Sequence, residues 1–310
     1  MADRVSRTAP PPLIACIGDI DVDWLMQVDW LPSQDDKIPA RSLVRAPGGM
    51  AANVAVAIQH LGGRSRLIGR VGGDDEGQGL VAYLGRRGVD VDHVTIIPGE
   101  RTFQCLIFVA PGGERALVRM PSALIVPTVA DIGSGSLAGC RHVHITFAEP
   151  AVAMHVIELA RRLGISLSID LEKADLPPDP GILGQLIAGC DVMFLNRRAR
   201  EELDRRGALL EYAGAVVTTL GANGARFERR GVSMTSPGCK VETRDTTGAG
   251  DAFAGAFLLR WLAEPDRPQS ALDEANLYAA RSTCTIGAQA MLGDDALTFP
   301  PIGVVAGRRL

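Results

Sequence analysis

The sequence is poor in lysine and in aromatic residues. Only Lys37, Lys173 and Lys240 are lysines among 32 basic residues in a chain of 310, and aromatic residues make up 5%. None of the three lysines directly follows a glycine, which excludes the G-x-x-x-x-G-K-[ST] phosphate-binding loop. Neither a V-A-I-K strand nor an H-R-D loop is present, which excludes protein-kinase chemistry. Any phosphate site in this chain has to be built from other groups.

The sequence also lacks a large excess of charge of one sign, long apolar runs and closely spaced pairs of cysteines. The formal net charge is −4, which provides no basic surface for nucleic acid or anionic membranes. No run approaches the roughly 18 apolar residues of a membrane span. The six cysteines form no C-x-x-C pair and predict buried thiols in a reducing compartment rather than disulfides or a zinc site. We therefore expect a cytoplasmic protein that binds neither nucleic acid nor membranes.

Short apolar runs alternate with helical patterns from Leu13 onward. The runs are LIACIGDI, RLIGRV, HVHITF, SLSID, VMFLN and AVVTTLG, and several of the helical stretches between them end in glycine. This alternation predicts an α/β fold with a doubly wound, mostly parallel sheet flanked by helices. We expect a flexible leader over residues 1–12, which has no apolar segment, and a single domain over residues 13–310.

Two segments interrupt this alternation. Residues 36–47 and 101–120 contain β-type runs with no helix between them, and PGGE in the second segment is typical of a hairpin turn. They predict a small second β-sheet that projects from the main domain.

The strongest local motif is the segment Asp245-Thr246-Thr247-Gly248-Ala249-Gly250-Asp251. It follows the β-type run CKVETR and opens the apolar helix AFAGAFLLRWLA, so free backbone N–H groups at a helix N-terminus can hold a phosphate. Asp251 in the first turn either caps the helix or accepts the proton of an attacking alcohol. Its position beside an anion site favours the second interpretation, and we expect the helix terminus to keep it ionised.

Two further clusters carry polar groups. Gly48 and Gly49 precede a helix that contains Asn53, so the backbone can approach a polar ligand while the amide binds hydroxyl groups, although a plain turn would look the same. Asp21 and Asp23 are predicted at the end of the first strand, where carboxylates face the ligand crevice of an open α/β sheet, or else belong to a surface loop.

Together these motifs resemble the PfkB, or ribokinase-like, family of sugar and nucleoside kinases. Residues Gly48, Gly49 and Asn53 resemble the first family signature, GGxxxN, and DTTGAGD at 245–251 resembles the second. VGGDDEG (71–77), TLGANG (219–224) and TIGA (285–288) follow in the family's order. The resemblance extends from about Leu13 to about Pro300 and implies a ribokinase-like fold whose projecting sheet, formed by about 36–47 and 101–120, is a lid.

The resemblance also implies roles for individual residues. Asp251 would be the catalytic base, and Gly248, Ala249 and Gly250 would hold the transferred phosphoryl group with it. The acceptor would be bound by Asp21, which stands where ribokinases carry Asn, and by Asp23, Gly48, Gly49 and Asn53. The nucleotide would be bound by Asn196, Thr219, Gly221, Gly224 and Asn276. A monovalent cation, expected to be K⁺, would be held by Asp245 and Thr247.

One motif departs from the family pattern. The family's N-x-x-E sequence, associated with Mg²⁺ and phosphate, reads Asn196-Arg197-Arg198-Ala199 and lacks the acid. Glu202 lies three residues further on, about 4.5 Å along a helix and on nearly the same face. Either Glu202 or Glu172 of SIDLEK is our candidate for the water shell of Mg²⁺.

The expected function is ATP-dependent phosphorylation of a hydroxyl group on a small sugar or sugar derivative, with ATP and Mg²⁺ as cofactors. A nucleoside kinase of the same family and a non-catalytic sensor of sugars or nucleotides stay open as alternatives. The resemblance further implies a homodimer formed through the β lid.

Overall fold

The computed structural model describes residues 10–147 and 149–290. The predicted leader lies largely outside these residues, and so do the last twenty residues of the predicted domain. In chain order the strands are β1 (Leu13–Ile17), β2 (Asp21–Gln27), β3 (Ser42–Gly48), β4 (Arg64–Gly72), β5 (Asp90–Ile97), β6 (Phe103–Val109), β7 (Arg115–Arg119), β8 (Cys140–Ile145), β9 (Ser166–Leu171), β10 (Val192–Asn196), β11 (Ala215–Thr219), β12 (Ala225–Arg229) and β13 (Val232–Ser236). The α-helices are α1 (Met50–His60), α2 (Asp75–Arg86), α3 (Pro150–Leu163), α4 (Pro180–Ala188), α5 (Arg197–Arg205), α6 (Ala249–Ala263) and α7 (Pro268–Ser282).

Nine of these strands form the main sheet, in the order β13-β12-β11-β10-β9-β8-β1-β4-β5. The seven strands from β11 to β5 are parallel, and β12 and β13 add an antiparallel hairpin at one edge. Apolar residues of α1, α2, α6 and α7 form the core on one face, and those of α3, α4 and α5 form the core on the other. The predicted doubly wound α/β fold is confirmed, because strands that bury both faces need helices on each side.

A separate four-stranded sheet, which we call the lid, has the order β3-β2-β6-β7. Strands β2 and β6 are parallel, the other two pairs are antiparallel, and PGGE is the turn between β6 and β7, as predicted. The two predicted segments supply β3, β6 and β7, although residues 36–41 form no strand. Strand β2, which the sequence analysis did not assign to the lid, lies between the other three.

The placement of Asp21 and Asp23 at the end of the first strand is wrong. Strand β1 ends at Ile17, and both aspartates lie on β2 in the lid. The chain leaves the main sheet between the two strands, where the Asp19 carboxylate accepts a hydrogen bond from the Ala51 backbone N–H at 3.3 Å. The run LIACIGDI therefore contains β1 and the turn that leads into β2, and β2 itself lies in a different sheet.

The run CKVETR at 239–244 is also no strand. Its end is held by α7 rather than by a neighbouring strand, because the N–H groups of Arg244 and Asp245 both donate to the Thr283 carbonyl, at 2.8 and 3.1 Å. The segment carries the chain from the sheet edge to the start of α6. None of the helices in the described residues has the length and apolar character that a bilayer crossing requires.

Candidate active site

Helix α6 begins with a left-handed glycine and brings Asp251 into its first turn. Gly248 has φ +72°, and a Cβ at this position would lie 2.4 Å from the Cβ of Ala288. Only glycine meets both conditions, since L side chains disfavour positive φ. The conformation of this one residue therefore sets the direction in which the helix starts and buries the Asp251 side chain, which is 7% exposed.

Asp251 and Asn53 meet although 198 positions separate them in the sequence. The Asn53 side-chain amide donates to Oδ2 of Asp251 at 2.8 Å. Burial raises the pKa of Asp251 well above its ordinary value, and the hydrogen bond from Asn53 opposes that shift. The helix terminus was expected to keep this carboxyl ionised, and burial of the side chain acts in the opposite direction on its pKa. Asp251 holds its proton more readily than an exposed aspartate does.

The backbone amides beside Asp251 differ in their bonding. The N–H of Ala249 donates to the Thr246 carbonyl at 3.3 Å, whereas those of Gly248, Gly250 and Asp251 have no hydrogen-bond partner within the described residues. A Cβ on Gly250 would find open space within 4 Å. Of the residues predicted to hold a phosphoryl group, Ala249 thus has an engaged amide, while the other N–H groups are available to an anion.

Gly48 and Gly49 allow the end of β3 to pack against the acids of β2. A Cβ on Gly48 would lie 2.2 Å from Oδ1 of Asp21 and 2.5 Å from Oδ2 of Asp23. Gly49 has φ +97° and precedes α1. Gly48 therefore makes room for the two carboxylates, both of which are buried, and Gly49 allows the chain to pass close to the backbone of Asp19.

These carboxylates lie in an unusually acidic environment. Burial, with the nearby Asp19, raises the pKa of Asp23 to about 7. Burial raises the pKa of Asp21 well above the ordinary value, and Asp23 and Asp19 add to the shift. Its Oδ2 accepts a bond from the Cys105 thiol at 3.4 Å, and its Oδ1 has no partner in the described residues. Such groups favour a ligand with several hydrogen-bonding hydroxyls.

A cavity of about 580 Å³ lies between the lid and one end of the main sheet. It contains residues of both predicted clusters together with lid side chains that the motifs did not indicate. Among its lining residues are the predicted Asp21, Asp23, Gly49, Asn53, Asn196, Thr219, Thr247, Gly248, Gly250 and Asp251. The fold therefore brings the acceptor cluster and the DTTGAGD motif into one cavity.

A second cavity, of about 720 Å³, adjoins the first. It is lined by the predicted nucleotide residues Thr219, Gly221, Gly224 and Asn276, and Ala249 also faces it. Gly250, Thr219 and Arg115 line both cavities. The two cavities therefore meet at the start of α6, next to Asp251.

Asp245 anchors the loop before α6. Its Oδ1 accepts hydrogen bonds from the N–H and the hydroxyl of Thr247, at 2.9 and 2.6 Å. Its Oδ2 accepts from the Gly287 N–H at 2.8 Å. The carboxylate thus ties the DTTGAGD motif to the TIGA segment.

Glu202 lies outside the acceptor cavity, contrary to the role predicted for it. Its carboxylate accepts hydrogen bonds from Arg205 and Arg206, which lower its pKa to about 2. Glu172, the alternative candidate, does line the cavity, together with Asp170, whose pKa is raised to about 8 by burial and by Glu172. Glu202 instead stabilises the end of α5.

Asn196 is placed where the N-x-x-E pattern predicts it. It caps α5, with its side-chain oxygen accepting from the Ala199 N–H at 2.9 Å, and it lines the cavity. The alanine that replaces the family's acid is fully buried and packs in the core.

Sequence reasoning missed three residues of this site. Asp170 lies in the last two residues of β9, a position where parallel strands present ligand-binding side chains, and that rule would have found it. Arg115 begins β7 after the predicted turn, but nothing in its neighbourhood indicates that it lines both cavities. Gln289 donates to Asn53 at 2.8 Å across 236 positions, and no local pattern reveals such a contact.

Comparisons with known proteins identify relatives of this chain. The profile of the pfkB family carbohydrate kinases matches residues 11–294. The ATP-dependent ribose-1-phosphate kinase of Halopiger xanaduensis is 32% identical over 290 residues, which are 90% of this chain and 95% of that protein. Fructokinase-1 of Oryza sativa subsp. japonica is 30% identical over 86% of this chain and 89% of its own.

A solved structure shows the same fold with ligands bound. A fructokinase double mutant of Vibrio cholerae O395, crystallised with fructose, ADP and a potassium ion, superposes with a TM-score of 0.75 at 26% identity, over 94% of this chain and 98% of that one. The family profile matches nearly the whole chain, and the ribose-1-phosphate kinase of Halopiger xanaduensis is 32% identical over most of its length. The chain therefore belongs to the pfkB family of carbohydrate kinases.

Proposed function

We propose that this protein transfers the γ-phosphoryl group of ATP to a hydroxyl group of a small sugar or sugar derivative. The observation that carries the proposal is the position of Asp251, buried where the two cavities meet and beside the unpaired amides of Gly250 and Asp251 itself. A hydroxyl nucleophile, a proton acceptor and an anion site are the parts that phosphoryl transfer to an alcohol needs. In this protein the proton acceptor and the anion site lie in the first turn of α6.

The acceptor binds between the lid and α1. Asp21 and Asp23 accept hydrogen bonds from its hydroxyls, and the Asn53 amide, which already donates to Asp251, holds the base next to it. Arg115 and Arg119 of β7 line the same cavity from the lid. Burial of the acceptor under the lid excludes water, which would otherwise compete for the phosphoryl group.

Asp251 takes the proton from the attacking hydroxyl. A base is most effective when its pKa lies near the working pH, and the burial that raises the pKa of Asp251 moves it in that direction. The N–H groups of Gly250 and Asp251, at the positive end of α6, stabilise the charge on the transferred phosphoryl group. These donors are fixed by the backbone and need no lysine.

The nucleotide occupies the larger cavity. Gly221 and Gly224 shape its wall, and Gly224 has φ +96°, with a Cβ position only 2.0 Å from the Ser236 carbonyl oxygen. Asn276 donates to that carbonyl at 3.0 Å and so fixes the opposite side. The γ-phosphate then lies near Gly250, which both cavities share.

The donor sets fit the two expected cations. Asp245 is buried and has no ion-pair partner in the described residues, which suits a carboxylate that faces a monovalent cation. Thr247 would be its neighbour in that site. Asp170, Glu172 and Asn196 offer the oxygen ligands and water contacts that Mg²⁺ prefers. When bound, Mg²⁺ neutralises the phosphate charges.

The outer face of the lid supports the proposed homodimer. Trp24, Leu106, Phe108 and Val118 point away from the cavity on adjacent strands and remain partly or fully exposed. An apolar sheet face of this kind is covered at low cost by a second copy of the same face about a two-fold axis. We include this dimer, and a cytoplasmic location in keeping with the free cysteines, in the proposal.

Coupled detection of ADP release tests the reaction. The purified protein is assayed with ATP, Mg²⁺ and K⁺ against a panel of sugars, sugar phosphates and nucleosides. We expect turnover with at least one sugar or sugar phosphate, and loss of about three orders of magnitude in kcat for Asp251→Asn with ATP binding retained. The exposed Asp266→Asn is the matched control and is expected to have wild-type activity.

Two results would contradict the proposal. Binding of sugars and ATP without turnover on any acceptor would identify a non-catalytic sensor. Turnover restricted to nucleosides would assign the nucleoside-kinase alternative.

A further inference from the structure

A chain of two side-chain amides leads from the TIGA segment to the proposed base. Gln289, directly after that segment, is buried and donates from Nε2 to Oδ1 of Asn53 at 2.8 Å. Asn53 in turn donates from Nδ2 to Oδ2 of Asp251 at 2.8 Å. All three side chains are less than one-tenth exposed, so both bonds are shielded from water.

The direction of this chain has a chemical reason. A primary amide has one donor end and one acceptor end, and rotation by 180° exchanges them with little change in shape. An ionised carboxylate only accepts, so Asn53 has to turn its NH₂ group toward Asp251. Gln289 donates to the oxygen end of the Asn53 amide and so makes the rotated orientation unfavourable. A rotated Asn53 would place its NH₂ group against the NH₂ group of Gln289 and its oxygen against the carboxylate of Asp251.

We propose that Gln289 is a positioning residue that fixes the orientation of Asn53 and thereby of the base Asp251. The inference rests on the proposed function, since it assigns Asp251 as base. Gln289 touches neither cavity of that function and instead lines a small space of its own behind Asn53. It therefore acts through Asn53 and not on the substrate.

The side-chain oxygen of Gln289 indicates that packing alone does not explain why a glutamine stands at this position. Its Oε1 is buried and has no hydrogen-bond partner in the part of the chain that the structure describes. A buried polar atom without a partner lowers stability, and an apolar side chain of similar size would avoid that cost. What the amide provides, and an apolar side chain cannot, is the donor to Asn53.

The charged surroundings of Asp251 define the expected pH effect. The side chains that face it are Asn53, which donates, Asp170 and Asp19, which are acidic, and Arg115, which is basic. Of the influences that lower the pKa of Asp251, the bond from Asn53 is the largest. A freely rotating Asn53 donates less often, so the base stays protonated to a higher pH.

The test compares kcat across pH 5–9 for the wild type, Gln289→Met and Gln289→Glu. Methionine keeps the length and volume of glutamine without a donor, and glutamate keeps its shape while offering only acceptors when ionised. We expect kcat at pH 7 to fall about tenfold and the acidic limb of the profile to move up by roughly half a pH unit or more in both variants. KM for ATP is expected to stay within twofold. Gln78→Leu, an exposed glutamine on α2, serves as the matched control.

Each outcome decides the inference. A purely structural role would lower the melting temperature without moving the pH profile, and an unchanged acidic limb in a folded variant overturns the proposal. If the methionine variant fails to fold, Gln289→Leu carries the same comparison, because it also removes the donor without adding a charge. Absence of turnover in the wild type would refute the proposed function itself, and is thereby distinguished from failure of the role of Gln289.

Discussion

Replacing Asp21 by asparagine should stabilise the ligand-free protein. Asp21 is 3% exposed, its Oδ1 has no partner in the described residues, and its other oxygen receives only the weak thiol bond from Cys105. Asp19 and Asp23 repel its charge and, with burial, raise its pKa well above the ordinary value. Asparagine has the same shape and carries no charge. It can also donate to the neighbouring carboxylates, so the substitution removes a cost rather than a contact.

The expected gain follows from the burial and from the missing partner. A buried, unsatisfied polar group costs about 1–3 kcal/mol, and a charge costs more. We therefore expect Asp21→Asn to raise the free energy of unfolding by about 1–3 kcal/mol at pH 8.

The pH dependence makes the prediction specific. The folded pKa of Asp21 lies above its unfolded value of about 3.9, so below pH 4 the carboxyl is protonated in both states and its cost is absent. As the pH rises, the unfolded chain releases the proton before the native protein does. The wild type then loses about 1.4 kcal/mol per pH unit relative to the variant, until the native carboxyl also ionises.

The assay is thermal unfolding of both proteins without ligand, from pH 4 to pH 8. Asp266→Asn, an exposed aspartate between α6 and α7, controls for the loss of one negative charge and is expected to change little at any pH. A variant that is less stable than the wild type at pH 8, or a gain as large at pH 4 as at pH 8, would refute the reasoning.

Three further predictions concern backbone strain, acid stability and assembly. Gly224→Ala places a Cβ against a backbone carbonyl and should cost at least about 2 kcal/mol and weaken ATP binding. Gly62→Ala, at a φ of +79° with open space around it, should cost about 1 kcal/mol; equal melting temperatures would contradict this. Burial lowers the pKa of His144 to about 3, so the folded state loses stability as the pH falls below about 6.5. His144→Asn should reduce that loss by up to about 1.4 kcal/mol per pH unit in acid-dependent unfolding, even if the variant is less stable overall. An unchanged slope of stability against pH would count against this prediction. If the proposed lid-mediated dimer forms, Val118→Asp should convert it to a monomer in light scattering. Val232→Asp, at an equally exposed valine on the main sheet, should not; the same mass for both variants would argue against the lid interface.

The parts of the fold that could be predicted are those whose pattern is local. The six apolar runs match strands of the parallel sheet, because a strand buried on both faces is apolar at most of its positions. Strand β2 was not recognised, because its first acids were assigned to the end of the first strand and its partners β3 and β6 lie far along the chain. The run CKVETR was assigned to a strand because propensity alone cannot tell whether a pairing edge is available.

The candidate site likewise contains residues that a local pattern predicts and residues that only long-range contacts bring together. The DTTGAGD motif could be assigned from its own seven residues, because a left-handed glycine, free amides and a first-turn carboxylate are all local properties. Glu202 was chosen by helical spacing, but two arginines on its own helix and just beyond engage its carboxylate. Arg115 enters the site only because the lid folds over it, and the chain of bonds from Gln289 to Asp251 spans two long separations.

By itself, the sequence determined which phosphate-binding chemistry was excluded: with three lysines and none in a phosphate-binding motif, a lysine-containing loop was not available, and the DTTGAGD motif indicated backbone amides at a helix terminus. It also determined the local backbone, since Gly248 and Gly49 adopt positive φ angles that other residues disfavour. Only the tertiary structure decided the direction in which the pKa of Asp251 shifts, because that pKa depends on how much water and which neighbours surround the carboxyl group. Local geometry follows from the covalent chain, whereas burial and long-range contacts exist only once the lid and the sheet have come together.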